Sequence, residues 1–231
     1  MDKKIAIVVG AAGEIGSVIA DRLEKADFRV WRIWHNKVLD YTDSLQVKEL
    51  TQIESAAEQI FQQCGRIDCL VNTAGATSEN PALNFELDQW RKTFADNLDL
   101  AFLWSKAAAK YMLLNRYGRI IHLSSIAAGY GGRGEIAYAS SKSALETMVR
   151  VLALELGRRN ITVNAIAPGV IESKMTDSIR REHDSQLLER IAAKRFGKPQ
   201  EVAATACFLA GEEAGYINGQ VIAVDGGMGL G

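Results

Sequence analysis

The feature of this chain that most limits its fold is a regular alternation of short, nearly continuous apolar runs with longer segments of helical period. The runs are KIAIVVG at 4–10, RVWRIW at 29–34, KVLDY at 37–41, DCLVNTAG at 68–75, RIIHLSS at 119–125, ITVNAIAPG at 161–169 and QVIAVDGG at 220–227. Helical period falls at 14–26, 45–64, 88–116, 138–159 and 199–210. Strands that are apolar on both faces need helices over both faces. The pattern therefore predicts a single α/β domain of Rossmann type: a doubly wound parallel β-sheet with helices on both sides. One interval conflicts with that plan. Only two residues separate the second run from the third, too few for the crossover a parallel pair requires. Either a helix is missing there or one of the two strands is misplaced. The polar stretch 170–198 carries no clear strand and reads as a helical cap over a site.

At 231 residues the chain is long enough for one domain with a full core. Charges of both signs are interspersed and the formal net charge is -1, which offers no field for nucleic acid or an anionic membrane. No apolar run approaches the ~18 residues of a membrane span. The first run is short and passes directly into glycines, as a first strand does and a secretory signal does not. Cys64, Cys69 and Cys207 are odd in number and lack metal-ligand spacing, so they read as reduced thiols and no metal site is expected. These features point to a cytoplasmic protein.

The chemistry concentrates at the ends of the predicted strands. Gly10, Gly13 and Gly16 follow the first strand and open a helix, a context in which glycines let backbone approach a pyrophosphate held at a helix N-terminus. Asn72 closes another strand, where it either ties strands together or meets a ligand. Ser125 ends the strand RIIHLSS, and Tyr138 follows thirteen residues later with Lys142 four positions beyond it. On a helix, positions i and i+4 share a face. An ammonium near a phenol stabilises phenolate and makes a tyrosine a usable proton donor near neutral pH. Taken alone, Tyr-x-x-x-Lys is more often a solvated helix face.

In order and spacing, the glycine turn, NTAG, FADNLDLAF with Asn97, HLSS with Ser125, YASSK and NAIAPGVIES make the chain resemble the short-chain dehydrogenase/reductase superfamily over essentially its whole length. The closing stretch 195–227 looks most like the 3-oxoacyl-(acyl carrier protein) reductases within it. The resemblance implies a catalytic tetrad. Tyr138 would protonate a carbonyl oxygen as hydride arrives, and Ser125 would hydrogen-bond the same oxygen. Lys142 would lower the Tyr138 pKa and hold the nicotinamide ribose, and Asn97 would hold a water linking Lys142 to solvent. It also implies cofactor contacts at Gly10, Gly13, Ile15 and Gly16, at Asn72, Ala74 and Gly75, at Pro168, Gly169, Ile171 and Ser173, and around the adenosine at Asp40 and Tyr41.

Three departures bear on this expectation. Val9 stands where the family usually has threonine, and Glu14 where it has glycine; Glu14 is expected to point away from the diphosphate, leaving Gly13 to provide the close approach. The end of the second strand reads WHNK, without the acid that NAD-preferring relatives place there, so NADPH is favoured over NADH, with His35, Asn36 or Lys37 near a 2'-phosphate. Arg116 and Arg159 match positions where carrier-dependent reductases present arginines to an acidic carrier, although arginines at helix ends are common on any surface. His122 reads as a satisfied core residue and His183 as part of the solvated cap. The leading expectation is an NADPH-dependent ketoreductase of 3-oxoacyl thioesters, assembled as a homotetramer, with a dimer as the alternative. The competing functions are a dehydrogenase of a free alcohol, sugar or steroid, and a nucleotide-binding regulator without chemistry.

Overall fold

The computed structural model describes residues 3–35, 41–173, 176 and 185–230. Seven strands, β1 (Lys4–Val9), β2 (Phe28–Trp34), β3 (Ser44–Gln46), β4 (Cys69–Asn72), β5 (Gly118–Leu123), β6 (Ile161–Pro168) and β7 (Val221–Val224), form one sheet. Every strand pair is parallel, and the order is β3-β2-β1-β4-β5-β6-β7. The chain builds outward from β1 to β3 and then returns to the other side of β1 with β4. That reversal opens a crevice at the carboxyl edge of the central strands, where ligands bind in open α/β sheets.

Alternate residues of each strand feed two apolar layers, as the two-residue period of a strand requires. Ile5, Ile7, Trp31, Ile33 and Leu70 pack against α2 (Ile53–Cys64), α4 (Leu100–Asn115) and α6 (Ile136–Leu156), where Trp104 and Met112 are fully buried. Ala6, Val8, Val30, Val71 and Ile121 pack against α1 (Glu14–Lys25) and α7 (Pro199–Ala210). The expectation of a parallel sheet clad on both faces is met. No helix among the described residues is long and apolar enough to cross a membrane.

Among the described residues, the strand that follows β2 begins at Ser44. Residues 37–40 of KVLDY lie outside the described residues, and Tyr41 is not in a strand. The third strand is Ser44–Gln46, paired with β2 from Arg32↔Ser44 to Trp34↔Gln46. These three residues are half-polar and sit at the sheet edge, so they carry no apolar signal. Their presence also shortens the helix expected at 45–64. A 3-10 turn at Leu50–Gln52, closed by a capping box between Glu49 and Gln52, precedes α2 at Ile53. The segment 88–116 is likewise not one helix: α3 (Leu87–Phe94) and α4 are joined by a π-helical turn, Ala95–Asp99. Helix α6 begins at Ile136 and ends at Leu156, with a 3-10 turn through Arg159. In the region 170–198, residues 185–190 are helical and Ile171 bridges Gly197. His183 lies outside the described residues.

Candidate active site

Gly10 leaves β1 with φ of 80°, a left-handed conformation that glycine adopts without steric cost. A Cβ there would stand 2.7 Å from Thr73 Oγ1 and 2.8 Å from Ala74 N. A Cβ on Gly16, buried in the first turns of α1, would stand 2.6 Å from the same Thr73 Oγ1. The two glycines therefore let the turn press against the exit of β4, where Thr73 Oγ1 donates to Val9 O at 2.8 Å. Gly13 caps α1 and no side chain fills that cap, leaving the positive end of the helix turned toward the crevice. Beyond β4, a Cβ on Gly75 would lie 2.8 Å from Asn97 Oδ1 and 3.1 Å from Lys142 Nζ. Space that side chains leave open runs from the α1 N-terminus to the Lys142 ammonium, which fits a dinucleotide laid across the carboxyl edge.

The cleft has a volume of about 930 Å³. Gly10, Gly13, Ile15, Gly16 and Gly75 line one part of it, and Ser125, Tyr138 and Lys142 line another. Pro168, Gly169, Ile171 and Ser173 also line it, as the motif NAIAPGVIES led us to expect. Glu14 is exposed and lines it too. Asn72 and Ala74 are not among the lining residues. Asn72 is buried, and its Oδ1 accepts the Ala74 N–H at 3.2 Å, so of its two readings the tie within the β4 exit is the one the geometry supports.

Tyr138 and Lys142 lie one turn apart on α6, and the Tyr138 hydroxyl comes beside Ser125 across the gap to the β5 exit. Ser125 Oγ also accepts the Ala127 N–H at 3.2 Å. Asn97 sits behind this pair, 1% exposed. Its Oδ1 accepts the Ala76 N–H at 2.8 Å, and its Nδ2 donates to Ala76 O at 3.1 Å and to Ser141 Oγ at 2.9 Å. Ser141 Oγ in turn donates to Tyr138 O at 2.8 Å. Asn97 is the buried residue of the π-helical turn, where an extra residue per turn shifts which side chain faces inward, and such turns recur at functional sites. All four tetrad residues are thus brought together.

The electrostatics differ from the expectation in one respect. Lys142 is buried, 5.8 Å from the centroid of the Tyr138 ring, and its Nζ donates to Leu123 O at 2.8 Å. Burial pushes its pKa down to about 8. The Tyr138 phenol is pushed up from its ordinary value by burial, the Ser125 hydrogen bond opposing this and the Glu135 charge adding to it. Lys142 is not among the causes of this shift, and its ammonium donates to the Leu123 carbonyl rather than to the phenol. His122 on β5 is fully buried with Nε2 2.9 Å from Ser105 Oγ. Burial and the neighbouring Lys142 charge hold it neutral, with a pKa of about 3.

Glu135, one turn before Tyr138, was not singled out by the sequence reading although its spacing to Tyr138 was visible. The loop before α6 brings it to Glu79: Asn80 N–H donates to Gly134 O at 2.9 Å. Both carboxylates line the cleft, and burial, then Glu79, raises the Glu135 pKa. A carboxyl raised in the fold favours folding below the ordinary carboxylate range, and that advantage is lost as pH rises through the raised value. Glu135→Gln is therefore expected to raise the thermal midpoint at pH 7 and to lose the gain in acid. Thermal unfolding at the two pH values measures this, and an equal or lower midpoint at pH 7 would reject it. Arg133, Arg190, Thr176 and Met228 also line the cleft and were missed, because only tertiary contacts bring them there.

The remaining expected residues fall elsewhere. Asn36, Lys37 and Asp40 lie outside the described residues. His35 is exposed, and Tyr41 lies 4.2 Å below the guanidinium of buried Arg32, which is paired with Asp21 and Glu24 on α1. Neither His35 nor Tyr41 lines the cleft. Arg116 caps α4 in a left-handed conformation, and Arg159 ends the turn before β6. Both are exposed and neighbour one another through the 3.2 Å bond from Gly118 N–H to Asn160 O. They occupy the amino edge of β5 and β6, about 20 Å of strand away from the carboxyl edge. A strand's length thus separates the two arginines from this chain's own cleft.

A glycine-cradled crevice joined to a serine–tyrosine–lysine group defines an oxidoreductase dependent on a nicotinamide cofactor. The family model described as Enoyl-(Acyl carrier protein) reductase matches residues 10–229. The 3-oxoacyl-(acyl-carrier-protein) reductase FabG of Thermotoga maritima is 36% identical, covering 99% of this chain and 98% of its own. A solved structure described only provisionally as a gluconate dehydrogenase, from Agrobacterium tumefaciens, superposes with a TM-score of 0.91 at 29% identity, covering 98% of this chain and 96% of the other. YwfH, an NADPH dependent reductase involved in bacilysin biosynthesis, superposes with a TM-score of 0.90 at 27% identity over 98% of each chain. The chain belongs to the short-chain dehydrogenase/reductase family, and its sequence is similar to the FabG reductases.

Proposed function

We propose that this protein is an NADPH-dependent ketoreductase that reduces a 3-oxoacyl thioester to the 3-hydroxyacyl form. The observation that carries the reading is the Ser125–Tyr138 hydroxyl pair at the carboxyl edge of the sheet, in one cleft with the glycine turn. The cofactor, when bound, supplies the hydride. Gly10, Gly13 and Gly16 would admit its diphosphate, and Lys142 would hold its ribose. Ser125 and Tyr138 both present hydroxyls to the carbonyl oxygen, where negative charge develops, and preorganised donors at that atom stabilise the transition state more than the ground state. Tyr138 gives its proton to that oxygen. Asn97 fixes the Ala76 loop and Ser141 around the Tyr138 turn. NADPH is preferred in this reading because Trp34 and His35 at the end of β2 provide no carboxylate for ribose hydroxyls. Similarity to FabG supports the thioester as substrate, and apolar surface on α4 (Phe102, Leu114) and α6 (Val151, Leu154) supports a homotetramer.

One observation favours a second reading, oxidation of a free polyol or sugar acid. Glu79, Glu135, Arg133 and Arg190 place charged side chains on the cleft wall. Initial rates of cofactor oxidation with a 3-oxoacyl N-acetylcysteamine thioester, using NADPH and NADH, separate the two. Turnover with NADPH is the expected result. Failure with both cofactors, together with reduction of NAD or NADP by a polyol, would replace the ketoreductase reading with the second one.

A further inference from the structure

A carboxylate on the helix that carries Tyr138 reaches back to the strand end that carries Ser125. Glu146 lies one turn beyond Lys142 on α6, and its Oε1 accepts a 2.6 Å hydrogen bond from Ser124 Oγ. Ser124 is buried, precedes Ser125 in the chain, and lines the same cleft. Its backbone N–H donates to Ile166 O at 2.7 Å. Successive turns of α6 therefore grip successive residues of the β5 exit: Lys142 holds Leu123 O, Glu146 holds Ser124, and Tyr138 meets Ser125. A short hydrogen bond from a buried hydroxyl to a carboxylate is among the strong ones, and it sits one peptide away from the hydroxyl whose placement matters.

We propose that Glu146 is a positioning residue: through Ser124 it sets where Ser125 Oγ stands relative to the Tyr138 hydroxyl. The proposal rests on the reading of Ser125 and Tyr138 as the pair that meets the carbonyl oxygen. A helix–strand tie serving stability alone would lower the melting temperature when removed and leave turnover per folded molecule unchanged. A positioning tie lowers kcat with cofactor affinity unchanged, and its loss goes unnoticed once Ser125 has no hydroxyl to place.

The test is a double-mutant cycle in the full chain with NADPH and the N-acetylcysteamine thioester, reading kcat, KM, cofactor Kd and thermal midpoint. Glu146→Ala and Ser124→Ala are each expected to lower kcat on the order of 10-fold, a fraction of what a 1 Å misplacement costs, with cofactor Kd unchanged. Glu146→Gln, which keeps an acceptor oxygen, is expected to recover most of the loss. In a Ser125→Ala background, removing Glu146 is expected to lower kcat no further. Unchanged kcat in Glu146→Ala, or the same fold-loss in both backgrounds, overturns the proposal while leaving the site reading intact. Full activity of Ser125→Ala overturns both. Ser124→Ala removes the bond from the strand side and keeps the test decisive if Glu146→Ala does not fold.

Discussion

Tyr138→Phe is expected to lower kcat for carbonyl reduction by about 10²- to 10⁴-fold, the usual contribution of a positioned proton donor, while cofactor affinity and the thermal midpoint are retained. The phenol ring fills the same space in the variant, and only the hydroxyl beside Ser125 is lost. The pH profile carries a second part of the expectation. Reduction needs the protonated phenol, and because burial raises the Tyr138 pKa, the acid persists above the ordinary tyrosine range. The Lys142 ammonium, pushed down to about 8, is the group that titrates first, so kcat/KM of the wild type falls as pH rises through about 8. A Tyr138→Phe enzyme of undiminished kcat, measured by initial rates beside a calorimetric cofactor titration, would remove Tyr138 from the chemistry.

Gly10→Ala is the second large effect. The φ of 80° at Gly10 costs an L-residue about 1–2 kcal/mol, and the new Cβ meets Thr73 Oγ1 at 2.7 Å and Ala74 N at 2.8 Å. The hydroxyl could rotate away, but the backbone nitrogen cannot without moving the β4 exit. Opening the turn displaces Gly13 and the N-terminus of α1, so cofactor affinity is expected to fall by about tenfold or more, since each 1.4 kcal/mol of misfit is tenfold. The thermal midpoint is expected to drop about 2–4 °C per kcal/mol. Gly65→Ala is the control. Its φ of 72° imposes a comparable backbone strain, but nothing lies within 4 Å of the new Cβ, and it closes α2 outside the cleft. It is expected to lower the midpoint and leave cofactor affinity unchanged. Equal cofactor affinity in Gly10→Ala and wild type would mean that this turn does not cradle the cofactor.

Several parts of this molecule could be read before any coordinates. The doubly wound sheet follows from strands apolar on both faces, because burial on both sides is a property of the run itself. Tyr138 and Lys142 share a face because the helical repeat places i and i+4 together, and Gly10, Gly13 and Gly16 lie in a strand-to-helix turn whose geometry is local. The misreadings have physical causes of another kind. Strand β3 is three half-polar edge residues held by pairing to β2, and pairing partners leave no period in the strand they recruit. The break of 88–116 at the π-helical turn was hidden because an extra residue in a helix changes direction without changing composition. The place of Arg116 and Arg159 in the fold was equally hidden, because the direction of β5 and β6 that carries them to the amino edge is set by the sheet.

What the sequence by itself determined is everything set within a turn or a strand: the layered α/β class, the glycine turn, and the serine, tyrosine and lysine that share one strand end and one helix. What only the tertiary structure decided is where those groups' partners stand. Lys142 turns to Leu123 O, Glu135 comes beside Glu79, and Glu146 reaches Ser124 across 22 residues of chain. Local sterics act over a few bonds and leave their mark in residue order, whereas side-chain direction is settled by the packing of α6 against the end of β5, which no short stretch of sequence contains.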